Sequence, residues 1–193
     1  MSYNVLVIPE DFTKDEHVLL PIVRRVLVDS GKPNAAVLVC RDPNFQGISG
    51  ALDHNRVREE VILRYPMVDL FILIVDRDGR QGRAEAVAGL AGRVRSDLKD
   101  NQRFLSVLAH QEVEILPIAG HNLSTGWSWN EIREDGDVKN TYFMELAARE
   151  GTLLLPHHGR KKLMISAMKN WNRIKSRCPE ETTELAQAIQ DLL

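Results

Sequence analysis

A buried strand followed by two acids is the part of this sequence with the clearest capacity for chemistry. Residues 70–75 are all apolar, and they are followed by Asp76, Arg77, Asp78 and Gly79. A short apolar run of this kind is typical of a buried parallel strand, and open α/β sheets carry their chemistry at the carboxyl ends of such strands. Side chains alternate along a strand, so the pattern predicts that Asp76 and Asp78 point the same way. Two neighbouring carboxylates repel each other, and a divalent cation offsets that repulsion.

A third carboxylate follows the first predicted strand. Residues 5–8 form a short apolar run, and Glu10 comes two positions after it. Right-handed crossovers bring the carboxyl ends of neighbouring parallel strands to one edge of a sheet, so we expect Glu10 to approach Asp76 and Asp78. Because Mg²⁺ prefers carboxylate oxygens, the three acids together predict a magnesium site.

The composition indicates a single domain whose cysteines are reduced. The chain has 193 residues, of which 44% are hydrophobic, and this is enough for a sizeable core. Its net charge of -2 does not suggest that the whole molecule binds polyanions. Cys40 and Cys178 are too few for a disulfide scaffold or a cysteine zinc site, which favours a cytoplasmic protein. With no export signal and no run near the ~20 apolar residues of a membrane span, we expect no membrane partner.

Alternating strand and helix patterns predict an α/β, Rossmann-like fold. The expected sheet has about four mainly parallel strands with helices on both faces, followed by a C-terminal helical extension. Residues 1–120 are expected to form the α/β core, and residues 121–193 a long loop plus helices packed on the same domain. The predicted strands cover residues 5–8, 35–40, 68–75 and 104–109, with a strand-like run at 152–155. The predicted helices begin with a capping box at 13–16 and continue at 53–64, 81–97, 112–119, 138–150, 161–175 and 180–192.

A basic segment lies in the C-terminal part of the chain. Residues 151–178 contain no Asp or Glu, and they suggest contacts with nucleic-acid phosphates. An ordinary solvated helix face is the alternative. His157 and His158, which precede the basic helix in this segment, are candidates for a proton donor or a phosphate contact, or they are a surface pair with no role. The candidate phosphate-binding residues are Arg160, Lys161, Lys162, Lys169 and Arg173.

Two tryptophans stand out in the long loop predicted at residues 121–137. Trp127 and Trp129 have the chemistry to stack on bases or to fill a partner's pocket. The alternative is that both rings pin the loop onto the core, since tryptophan is so often largely buried.

Three segments, taken together, resemble the Toprim superfamily, which includes topoisomerases, primases and the overcoming-lysogenization-defect (OLD) nucleases. Residues 10–21, Glu-Asp-Phe-Thr-Lys-Asp-Glu-His-Val-Leu-Leu-Pro, are similar to the Glu-Gly-x-Thr-Glu…Leu-x-Pro opening of the OLD-like branch, with Asp11 in place of the glycine. Residues 75–79, Val-Asp-Arg-Asp-Gly, are similar to its Asp-x-Asp-Gly motif. Residues 109–120 are similar to the Glu-x-Glu-x-Trp helix of small bacterial Toprim-like proteins of poorly known function, without the tryptophan. The resemblance covers roughly the first 120 residues.

The resemblance implies a role for each acid. Glu10 would be a metal ligand or general acid/base, and Asp76 and Asp78 would be ligands of Mg²⁺ or Mn²⁺. Asp15, Glu112 and Glu114 would be carboxylates for a second metal or for support, and Lys161, or else Lys162, would be the basic catalytic residue. Other interpretations remain open, since Asp76 and Asp78 could cap the next helix or make an Asx turn, and Asp15 could be an ordinary first-turn acid.

Glu112 and Glu114 pose a geometric problem in this assignment. Residues two apart on a regular helix point about 200° from each other, so only one of the two is expected at the site.

Three functions from different classes follow from these observations. The first is a metal-dependent nuclease that acts on nucleic acid, with an ATPase partner in phage defence or DNA repair. The second is a non-catalytic subunit that binds nucleic acid or an ATPase. The third is a receiver-like phosphoacceptor domain, because Glu10, Asp11 and Asp76 also imitate a receiver site. The sequence leaves open whether the chain forms a homodimer.

Overall fold

Four parallel strands form the centre of the molecule in the computed structural model, which describes residues 3–192. The sheet order is β2-β1-β3-β4, and all three strand pairs run parallel. The predicted α/β, Rossmann-like class is therefore confirmed. The strands are β1 (Asn4–Pro9), β2 (Ala36–Val39), β3 (Leu70–Val75) and β4 (Arg103–Leu108).

The two central strands bring the first acids together. All six residues of β3 are buried, which is what an apolar run covered on both faces requires. In the register between β1 and β3, Val5 pairs with Leu70 and Pro9 pairs with Ile74. Both strands therefore end at the same level, and Glu10 and Asp76 leave the sheet at the same edge.

Helices surround the sheet and complete the C-terminal part of the chain. A π-helical turn at Val57–Ile62 continues α3, and two more at Lys139–Phe143 and Glu180–Glu184 precede α7 and α10. Short 3₁₀ turns at Pro156–Gly159 and Met168–Asn170 flank α8. The α-helices are α1 (Phe12–Asp29), α2 (Ile48–Ala51), α3 (His54–Arg56), α4 (Arg83–Arg95), α5 (Ile115–Gly120), α6 (Trp129–Glu134), α7 (Met144–Arg149), α8 (Arg160–Ala167), α9 (Trp171–Arg177) and α10 (Leu185–Gln190).

Both faces of the sheet are covered, because successive residues of a strand point to opposite sides. On one face, Val5 and Ile72 belong to a hydrophobic cluster with residues of α1, α5 and the C-terminal helices as far as Ile189. On the other face, Leu6 and Phe71 belong to a cluster with residues of α2, of the π-helical turn at Val57–Ile62 and of α4. The C-terminal helices thus share the core of the sheet.

Local predictions differ from the structure in four places. The N-cap of α1 is Asp11, whose side chain accepts from the Thr13 amide, so the cap lies two residues before the predicted one. The strand-like run at 152–155 forms turns, since the Thr152 amide bonds to Ala147 and not to a strand. The predicted loop at 121–137 contains helix α6, and the helix predicted from residue 112 begins only at Ile115.

Within residues 3–192, every helix falls short of the length and apolar character that crossing a bilayer requires.

Candidate active site

An acidic pocket lies at the carboxyl edge of the sheet. Its volume is about 450 Å³, and its carboxylates come from four separate parts of the chain. Glu10 follows β1, Asp15 lies in the first turn of α1, and Asp76 follows β3. Glu112 and Glu114 belong to the segment between β4 and α5, and Asp11, the N-cap of α1, is the sixth acid of the pocket. The structure therefore brings five of the six predicted metal ligands into one pocket.

Backbone amides hold most of these carboxylates in place. The Val113 amide donates to Asp76 Oδ1 at 2.9 Å, and the Asp11 amide donates to Asp15 Oδ2 at 3.1 Å. The Lys139 amide donates to Glu112 Oε2 at 2.6 Å. Each bond uses one oxygen of the carboxylate and positions the group at the pocket wall. These donors also stabilise negative charge, but burial has the larger effect on the pKa of each of the three acids.

Burial and mutual repulsion raise the pKa values of the acids. Burial, followed by the charge of Glu114, raises the pKa of Asp15 to about 7. Burial also raises the pKa of Glu112 to about 7, and it raises that of Asp76 well above the ordinary value of an aspartate. The pKa of Glu10 is raised by burial and by the charge of Asp78. Near neutral pH the pocket therefore favours a bound proton or a bound cation over a full set of bare charges.

The third predicted metal ligand, Asp78, differs from its neighbour Asp76. Strand alternation does not extend to it, because β3 ends at Val75 and Asp78 has a positive φ of 51°. Its carboxylate pairs with Arg83 at 3.3 Å and does not line the pocket, although it is close enough to raise the pKa of Glu10. Arg83 also donates to the carbonyl oxygen of Asp76 at 3.0 Å, so it stabilises the turn after β3 at two points.

The suggestion that Asp76 and Asp78 cap the next helix is wrong. Helix α4 begins at Arg83 with Gly82 as its N-cap, and no side chain makes the capping bond. Asp76 instead bonds to the amide of Val113, 37 residues away in the sequence. Asp15 does lie in the first turn of α1, but it is also buried at the pocket wall, so the ordinary first-turn interpretation is incomplete.

Both glutamates of the segment before α5 line the pocket. Regular helix geometry predicts only one of them there, because residues two apart diverge on a helix. That expectation is wrong, since α5 begins at Ile115 and Glu112 and Glu114 lie in the irregular segment before it. Glu114 is almost fully buried, whereas Glu112 is partly exposed.

Arg160 is a buried part of this site and does not lie on an exposed basic surface. Its side chain is 1% exposed, and one guanidinium nitrogen donates to Glu114 Oε1. The other terminal nitrogen donates to the carbonyl oxygen of His157 at 3.0 Å, and the guanidinium lies 4.9 Å from the centre of the Phe143 ring. The helix-face prediction for Arg160 is therefore corrected, because docking of α8 on α5 turns this residue inward.

The other predicted basic residues lie outside the acidic pocket. Lys161, Lys162 and Lys169 are exposed, and Arg173 donates to Asn122 Oδ1 at 2.9 Å. The cationic side chains that line the pocket are instead Lys14 and Lys139. Lys161, predicted as the basic catalytic residue, does not line it.

A glutamine missed by the sequence reasoning supports the turn after β3. The carbonyl oxygen of Gln111 accepts from the Arg77 amide at 2.8 Å, and its side-chain oxygen accepts from the Gly79 amide at 3.0 Å. Nothing in the local pattern around Gln111 marks it, because its partners lie more than 30 positions earlier in the chain.

The aromatic and histidine candidates have structural contacts. Trp127 packs edge-on against Tyr142 with ring centres 5.1 Å apart, and Arg177 lies over the Trp129 ring. Both tryptophans pack against the core, which supports the interpretation that they pin the loop. His158 Nδ1 lies 3.1 Å from the Leu153 carbonyl oxygen, whereas His157 is exposed.

The donor chemistry of the pocket suits Mg²⁺, since all six acids that line it offer carboxylate oxygens. Glu10 Oε2 is buried and has no hydrogen-bond partner in the described part of the chain, so it is available to a cation. Among residues 3–192, however, no three His, Cys, Asp or Glu side chains are grouped closely enough to hold a metal ion. The residues fit the ion by chemistry, and side-chain rotation is needed to bring three of them to it.

The chain matches no protein-family model, no curated protein and no solved structure.

Proposed function

We propose that this protein is a metal-dependent phosphodiesterase that hydrolyses nucleic acid, with the acidic pocket as its active site. The observation that carries the proposal is the gathering of Glu10, Asp15, Asp76 and Glu114 at one sheet edge, three of them with raised pKa values. Clustered, buried carboxylates destabilise the folded protein unless a cation or a proton neutralises their charge, so a metal-binding role accounts for the cluster. The Toprim resemblance, which is based on segments that carry the same acids, implies the same activity.

The chain's own residues supply distinct parts of the chemistry. Glu10 and Asp76 would hold Mg²⁺ or Mn²⁺, with Asp15 and Glu112 as further carboxylates. When bound, the ion polarises the phosphate and lowers the pKa of a water molecule. A carboxylate with a pKa of about 7, such as Asp15 or Glu112, exchanges a proton readily near neutral pH, as a general base must. Lys14 and Lys139 line the same pocket and would face the substrate phosphate.

Plasmid nicking in Mg²⁺ or Mn²⁺ tests this proposal. We expect Asp76→Asn to lower the cleavage rate by at least about a hundredfold, because it removes a charge at the proposed metal site. The matched control is Glu145→Gln, which changes an exposed acid on α7 outside the pocket and should cleave like the wild type. Cleavage that continues unchanged in Asp76→Asn contradicts the proposal.

A non-catalytic binding subunit is the second candidate, and two arginine pairs favour it. Arg160 neutralises Glu114 and Arg83 neutralises Asp78, which leaves fewer charges for a metal ion. In that case the wild type would show no nicking in either metal, and it would capture an ATPase partner or nucleic acid in a pull-down. Nicking activity of the purified chain that is lost in Asp76→Asn would reject this candidate.

The phosphoacceptor alternative gains no support. The described sheet contains four strands, so residues 3–192 lack the fifth strand after which a receiver carries its lysine.

A further inference from the structure

A second groove lies beside the acidic pocket and differs from it in chemistry. Its volume is about 450 Å³. Side chains of α1, of the 3₁₀ turn before α8 and of α8 itself form its walls. They include His17, Leu155, His157, Lys161, Lys162 and Ile165, and we call this the His17 groove.

The His17 groove combines exposed apolar surface with aromatic rings. Ile165 is 59% exposed and Leu155 is 42% exposed, and the neighbouring Leu154 is 99% exposed. The rings of His17 and His157 lie 5.4 Å apart at an angle of 42°. Apolar side chains this open to water, side by side, are typical of a surface that binds something.

The same groove is positively charged, and nothing local neutralises it. Lys161 and Lys162 lie in the first turn of α8, where the helix dipole disfavours cations, and neither has an ion-pair partner among residues 3–192. Glu16, which precedes His17 on α1, is already bound by Arg41 at 3.0 Å. The groove therefore complements a ligand that is anionic along one side and flat or apolar along the other.

The turn that carries His157 is held rigidly against this groove. His157 and His158 both have positive φ values, 53° and 54°, which are costly for residues other than glycine. Hydrogen bonds to Arg160 and Leu153 fix the turn. Unfavourable backbone conformations that the surrounding structure maintains are often found where a protein clamps a ligand.

We infer that the His17 groove binds single-stranded nucleic acid, with the lysines on the phosphates and the rings and apolar side chains against unpaired bases. Single strands are bound through such a combination of basic groove and stacking surface. A duplex keeps its bases stacked inside and exposes mainly phosphates, so its bases cannot contact the apolar part of the groove. An anionic membrane has no flat rings to stack on the histidines.

The groove adjoins the acidic pocket through Arg160. One arm of this arginine pairs with Glu114 in the pocket, and the other donates to His157 at the groove. His17 lies two residues after Asp15 on α1, so both sites also share that helix. The inference rests on the proposed nuclease function in this respect, since it identifies the substrate class of the same enzyme as strands with unpaired bases.

Fluorescence anisotropy of the full chain in EDTA tests the inference without cleavage. The probes are a labelled oligothymidylate of about 15 nucleotides and a duplex of the same length. We expect the single strand to bind at least about tenfold more tightly. His17→Ala should weaken single-strand binding by about tenfold with an unchanged salt dependence, because it removes one stacking surface.

The two lysines should act through charge instead. The double variant Lys161→Ala/Lys162→Ala should lower the slope of log affinity against log salt by about 1.4, at about 0.7 for each phosphate that the variant no longer neutralises. Lys99→Ala is the matched control, because this exposed lysine lies outside the groove. It should leave single-strand affinity nearly unchanged.

Several results would overturn the inference. Equal binding of single strand and duplex, or an effect of Lys99→Ala as large as that of the lysine pair, would indicate diffuse charge attraction. Binding to phosphatidylserine vesicles without binding to the oligonucleotide would identify a membrane surface. If single strands bind as expected but no metal supports cleavage, only the proposed nuclease function fails. If the protein cleaves nucleic acid but His17→Ala has no effect on binding, only the present inference fails.

Discussion

Replacing Asp15 by asparagine should stabilise the protein, and more so as the pH rises. In the folded protein the pKa of Asp15 rises from 3.8 to about 7. A carboxyl group with a raised pKa keeps its proton in the folded state at pH values where the unfolded state has already lost it. The free energy of unfolding therefore decreases as the pH rises from about 4 to about 7, and above pH 7 this group changes it no further. Asparagine has the same shape, can accept the same bond from the Asp11 amide, and has no proton to lose.

The size of this effect follows from the pKa. Each pKa unit corresponds to about 1.4 kcal/mol, so the full penalty of ionising Asp15 at pH 8 is at most roughly 4 kcal/mol. About 3 kcal/mol of that should develop between pH 5 and pH 8. Coupling between the titrations of Asp15 and Asp76 reduces the expected gain to about 1–3 kcal/mol.

Urea unfolding at pH 5 and pH 8, in EDTA, measures the effect directly. The free energy of unfolding of Asp15→Asn relative to the wild type should increase between the two pH values. Asp100→Asn, at an exposed position outside the pocket, should stay within about 0.5 kcal/mol of the wild type at both. If the difference between Asp15→Asn and wild type is the same at pH 5 and pH 8, the electrostatic account of the pocket is refuted.

Three further outcomes are expected. Arg160→Gln should lower the free energy of unfolding by about 3–5 kcal/mol, because it leaves the charge of Glu114 buried and uncompensated. Arg160→Lys should lower it by less, and urea unfolding at pH 7 measures both variants. Gly159→Ala should cost about 2 kcal/mol or more, because its Cβ would lie 2.3 Å from Thr152 Cβ at a φ of 72°. In the same assay Gly126→Ala, at a φ of 87° with open space, should cost about 1 kcal/mol, and equal losses would contradict the steric reasoning. In scanning fluorimetry, Mg²⁺ should raise the melting temperature of the wild type more at pH 8 than at pH 6, because protons and the ion compete for the carboxylates. An equal shift at both pH values would count against a metal site.

The elements of the fold were predictable wherever the hydrophobic pattern is strong. The six apolar residues of β3 and the periodic apolar positions of α1 are local signals, and both elements lie where we expected them. The prediction of a strand at 152–155 failed because a short apolar run is equally compatible with a turn when no neighbouring strand is available to pair with it.

The candidate site was predictable in its main members and not in its details. Glu10 and Asp76 follow adjacent parallel strands, and the rule that such strands end at one edge of a sheet is sufficient to bring them together. The direction of Asp78 could not be predicted in this way, because its positive φ ends the alternation of the strand. The sequence also does not distinguish Arg160 from the lysines that follow it, although their environments are opposite.

Taken by itself, the sequence determined the α/β alternation, the parallel sheet and the strand ends at which the acids occur. These features depend on hydrophobic periodicity and on chain direction, both of which can be read locally. Only the tertiary structure decided that Glu112 and Glu114 both enter the pocket, and that Arg160 reaches one of them while Lys161 faces a separate groove. The physical reason is that these positions depend on how α8 docks against α1 and α5, and docking is set by packing between residues far apart in the chain.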